Sequence, residues 1–159
     1  MREEIWTGLR DRGWRIARGG EAPPAAPPTL LARYGPVLTQ WLTLLEGVES
    51  AVNQEETAWL LCAGDYAAQG DGAFRWDEWE RLSLESAAGD PAWEAEIRRF
   101  WDRRLPIALS VGDGYAYYAL SAEDGAVVYG REPEFEECAA VAASPAEFLE
   151  KLRTGAIRL

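Results

Sequence analysis

Apolar side chains recur along this chain with two different periods, and the change of period divides it. From residue 105 to 128 the sequence LPIALSVGDGYAYYALSAEDGAVV consists of strand-length apolar and aromatic runs broken by glycine turns. Gly112, Asp113 and Gly114 close the first run, and Asp124-Gly125, a pair suited to a tight hairpin, closes the second. Three antiparallel strands in a meander are predicted there.

Ahead of them the period is three to four. Leu30, Tyr34, Val37, Leu38, Trp41, Leu42, Leu45 and Val48 form a stripe that only a helix brings to one face. Proline is tolerated in a first turn, so a helix is predicted over 36–46, stopped by Gly47 and preceded by a separate turn around Leu31. Trp76, Trp79, Leu82 and Leu84 predict another helix. Trp93, Ile97, Phe100 and Trp101 predict one over 91–104, with Asp90 as its cap and Pro91 at its first position. Residues 1–18, carrying Ile5, Trp6, Leu9, Trp14 and Ile16, predict a short helix. TAWLLCA at 57–63 predicts a strand, the glycines of 64–72 a loop, and residues 138–142 a last strand. Ser144, Pro145 and Glu147 form a capping box for a final helix that turns Phe148, Leu149 and Leu152 inward and ends at Gly155.

These elements predict an α+β fold: a mainly antiparallel sheet of about five strands packed with four or five helices. The segment GGEAPPAAPP at 19–28 reads as an extended, proline-rich linker, so residues 1–28 form a head and residues 29–159 the main domain. Five arginines against three acids leave residues 1–20 at +2, and the rest of the chain at −13. The head either docks on its body by charge or stays solvated.

Composition narrows the function. At 159 residues and 48% apolar, the chain supports one main core. All eight tryptophans precede the meander; most are expected in the core, with one or two left for a binding surface. Cys62 and Cys138 lie far apart, and no histidine accompanies them, so reduced, buried thiols are expected, with no metal site and no cofactor. No run approaches the ~20 apolar residues that span a bilayer, and no signal-peptide core is present, so a cytosolic protein is expected. A net charge of −11 makes nucleic acid a poor partner and a basic protein a plausible one.

Without histidine the chain has no Ser-His or Cys-His dyad. Carboxylates remain, in two clusters that each include aromatics: Trp76, Asp77, Glu78, Trp79 and Glu80, and then Glu132, Glu134, Phe135, Glu136 and Glu137. They read either as a solvated acidic surface or as a site that steers and holds a basic partner. Paired carboxylates in a small hydrolase, with or without a divalent cation, are a rival reading, and a tryptophan-lined pocket for a small ligand is a third. Residues 65–72 lack calcium-loop spacing, and Gly112-Asp113-Gly114 lacks the rest of a dinucleotide fingerprint.

The order of elements, with LPIALSVGDGYAYYALS, the DG turn, VVYG and the ending AVAASPAEFLEKL, resembles the SMI1/KNR4 superfamily, also called SUKH, over residues 29–155. One departure lies in the early helix, where LLARYGP carries its Tyr and Pro in a different order from the family's. The resemblance implies a protein-binding module. Bacterial members are largely immunity proteins that neutralise toxins, often nucleases or deaminases, and eukaryotic members act as interaction scaffolds. No catalytic residues come with it.

Overall fold

A computed structural model of the chain describes residues 2–20, 22, 24–67 and 75–159. In chain order these form α1 (Arg2–Asp11), β1 (Arg15–Arg18), α2 (Pro28–Tyr34), α3 (Pro36–Leu44), β2 (Val48–Val52), β3 (Ala58–Leu60), α4 (Ala63–Ala67), α5 (Glu78–Ser86), α6 (Pro91–Asp102), β4 (Arg104–Ser110), β5 (Ala116–Ser121), β6 (Val127–Arg131), β7 (Cys138–Ala142) and α7 (Pro145–Thr154). The fold is α+β. The strands make one sheet in sequence order, each antiparallel to the next, with the expected meander as β4, β5 and β6.

The described residues hold seven strands and seven helices rather than about five and four or five. The helix expected over 1–18 stops at Asp11, because Gly13 takes a left-handed backbone (φ +91°) and turns the chain back, and Arg15–Arg18 then pairs with β2. A side chain at Gly13 would also collide with Gln54, whose Oε1 lies 2.5 Å from the Cβ position. Strand β2 was hidden by Val48, which continues the apolar stripe of α3 in sequence; Gly47 (φ +80°) separates the two elements. The turn expected around Leu31 is a full helix, α2. The strand expected over 57–63 is limited to Ala58–Leu60, and Ala63–Ala67 of the expected loop is helical, while 68–72 lie outside the described residues.

Capping follows the side chains. Asp90 accepts from the Trp93 N–H at 3.1 Å and so starts α6. At α7, Ser144 Oγ accepts from the Glu147 N–H, and Glu147 returns a carboxylate to the Ala143 N–H at 2.7 Å, one residue earlier than a standard capping box.

The sheet is covered on both faces, and β5 shows how. Alternate residues of a strand point to opposite faces. Tyr118 and Leu120 join a larger core with Trp6, Leu9, Leu38, Trp41, Ile107, Phe148 and Leu149, whereas Tyr117 and Ala119 join a smaller one with Trp79, Ile97, Trp101, Leu109 and Phe135. Every residue of β5 is buried, so its sequence reads as a continuous apolar run. Helix α1 belongs to the larger core through Ile5, Trp6 and Leu9, and Arg12 donates to the Arg153 carbonyl at the end of α7. Three aromatic polar tips in the interior find backbone partners: Trp41 Nε1 donates to the Leu61 carbonyl, Tyr34 to that of Trp101, and Tyr66 to that of Pro106.

Both sheet edges are guarded against pairing with other chains. At β1 the guards are its arginines and a register irregularity at Ala17/Arg18. At β7, Lys151 donates to the Val141 carbonyl, and its ion-pair partner Glu147 holds the Ala143 N–H. Among the described residues, no helix is long and apolar enough to cross a membrane.

Candidate functional site

Over the smaller core, α5, α6 and the segment 132–137 enclose a groove of about 700 Å³. Helix α5 contributes Leu82, Ser83, Glu85 and Ser86, and α6 contributes Trp93, Glu96, Ile97 and Phe100. The third wall is the chain from Glu132 to Glu137, which connects β6 to β7. Among the described residues, six glutamates line this groove and no lysine or arginine does. None of the six forms an ion pair among the described residues.

The acidic wall is held in place from below. Phe135 is buried in the smaller core beside Tyr115 and Tyr117, and the Tyr117 hydroxyl donates to the Phe135 carbonyl. Burial pushes the Tyr117 phenol well above its ordinary range, with the Glu136 charge adding to the effect, so the hydroxyl keeps its proton. Burial, aided by Glu78, likewise pushes Tyr115 up to about 12. Glu132 Oε1 accepts from the Tyr115 N–H at 3.1 Å. Glu136, half-buried, receives two neutral donors on one oxygen: Ser83 Oγ at 2.7 Å and Trp101 Nε1 at 3.0 Å. The carboxylates of Glu134 and Glu137 are exposed and make no hydrogen bond or ion pair among the described residues.

The other predicted cluster goes elsewhere. Trp76 packs edge-on against Tyr34, with ring centres 5.8 Å apart, on the side of the larger core. Asp77 pairs with Arg75 at 3.1 Å and Glu78 with Arg81 at 2.7 Å. Glu80 takes both terminal nitrogens of Arg33, at 2.8 and 3.2 Å, and Asp102 takes its Nε at 2.9 Å. Burial works against the Arg33 charge, but the Glu80 hydrogen bond together with the charges of Tyr34, Glu80 and Asp102 outweighs it, and the guanidinium pKa rises above its ordinary value. Trp79 is 0% exposed and packs at a tilt against Tyr115 and Tyr117, so it supports the core beneath the groove and offers no surface to a partner. The predicted residues 132 and 134–137 are therefore brought together in the groove, and 76–80 are not.

Several lining residues escaped the sequence reading. Trp93 and Phe100 belong to the apolar stripe that predicts α6, yet Trp93 is 45% exposed and Phe100 half-buried. A signal existed: Glu96 falls inside the stripe formed by Trp93, Ile97 and Phe100, and a charge within an apolar stripe marks a face that is not core. Glu85 and Ser83 carry no comparable mark.

Among the described residues, no three His, Cys, Asp or Glu side chains converge as a metal site. Cys62 is buried and Cys138 half-buried, and both are free thiols. No family model matches the chain, and no curated protein or solved structure is significantly similar to it.

Proposed function

We propose that this chain is a non-catalytic protein-binding module of the SMI1/KNR4 type, an immunity protein that neutralises a basic, nuclease-type toxin, and that the groove receives that partner. One observation carries the reading: among the described residues, six glutamates surround one concavity, with no basic residue among them and no ion pair to absorb their charge. Nucleases hold phosphate on a basic face, and a fixed acidic surface covers that face while excluding substrate. Charge of this kind raises association rates by ~10 to 10³ and screens with salt. The exposed Trp93 beside it supplies the aromatic area on which interface energy concentrates.

The test is protection of cells expressing the toxin encoded beside this gene. The wild-type chain is expected to protect, and a Glu134→Lys/Glu137→Lys variant with unchanged melting temperature to lose most of that protection. Absence of protection from every linked toxin, or full protection by the double variant, contradicts the proposal.

A further inference from the structure

We propose that Glu136 is the anchor of the groove and takes an arginine of the partner, whose guanidinium pairs with the free carboxylate oxygen and packs against the Trp93 ring. This rests on the groove being the partner site. Ser83 and Trp101 donate to Oε2 alone, and Oε1 accepts no hydrogen bond among the described residues. Both donors are neutral and come from buried residues, so they fix the side chain without cancelling its charge. Among the half-buried carboxylates of this protein, Glu80 is paired with Arg33, whereas Asp65 is held by the Cys62 N–H. Glu136 has a fixed position and no ion pair among the described residues, and a group already immobilised loses less freedom on binding.

The aromatic rings favour arginine over lysine. Phe100 already carries the chain's own Arg104 guanidinium 4.1 Å from its ring centre. Trp93, in the same groove, is 45% exposed and has no cation over its ring among the described residues. A planar guanidinium stacks on such a face while its edge meets a carboxylate, which a hydrated ammonium does poorly.

Calorimetry at low salt with a Gly/Ser peptide carrying several arginines, and with matched lysine and citrulline peptides, tests this on the full chain. Glutamine at position 136 keeps an oxygen for Ser83 and Trp101 but turns an amide N–H toward the guanidinium. Glu136→Gln is therefore expected to melt as the wild type does and to bind the arginine peptide about tenfold more weakly or worse. Trp93→Leu, on the surface, is expected to weaken it several-fold, and the lysine peptide to bind wild type several-fold less well. Equal binding by Glu136→Gln, with losses in Glu134→Gln and Glu137→Gln, overturns the anchor and leaves the groove as the partner site. Equal binding by Trp93→Leu, or equal affinity for the lysine peptide, overturns the arginine assignment. If no cationic peptide binds wild type, the anchor and the groove reading fall together.

Discussion

Asp77, Glu78 and Glu80 each lie within 3.1 Å of an arginine nitrogen, whereas none of the six glutamates around the groove has a basic partner among the described residues. The two regions are similarly acidic along the chain. What separates them is where the arginines fall: Arg75 and Arg81 are sequence neighbours of the first cluster, and Arg33 arrives from α2. The first cluster's charge is consumed in local pairs with Arg75 and Arg81 and in the Glu80–Arg33 tie between α5 and α2, and the second's is left facing solvent. Acid density in a sequence is thus not surface charge until the positions of the cations are known. Only the second region can offer a basic partner an unneutralised field.

The largest effect that sharpens this contrast is on stability. Trp79→Ala should cost about 4 kcal/mol, because it empties a site enclosed by Tyr115, Tyr117 and the smaller core. Trp93→Ala, on the groove, should stay within about 0.5 kcal/mol. Urea denaturation of the two variants decides, and comparable losses would erase the distinction between core and surface tryptophans. A smaller effect separates the acids. Glu80→Gln should destabilise by about 2 kcal/mol, because Arg33 loses a bidentate partner in a half-buried setting and keeps only Asp102. Glu134→Gln should shift stability by less than about 0.5 kcal/mol. If the two variants melt alike, the Arg33 pair is not the structural tie described.

Much of the fold was legible from local signals. Asp90-Pro91, Ser144-Pro145 with Glu147, and the turns at Gly114 and Gly125 act within a few residues of themselves, and the elements they delimit are present. The missing strands were not local. Residues 15–18 are too short and polar to declare a strand, and only pairing with β2 makes them one. The site divides in the same way. Residues 132–137 form one continuous wall, visible in sequence as a run of acids around Phe135. The opposite walls come from two helices, and which of their faces is free depends on how Trp79 and Trp101 dock on Tyr117. That docking is tertiary, so the sequence points to Trp76, which is half-buried against Tyr34, and Trp79, which is fully buried, and not to the exposed Trp93.

The most direct test of the groove as the binding face is a backbone and indole NMR titration of the full chain with the arginine-bearing peptide. Shift changes are expected at Ser83, Glu85, the Trp93 indole, Glu96 and residues 132–137, fading as salt is raised. Changes confined to residues 75–81 and Arg33, with the groove silent, would contradict it.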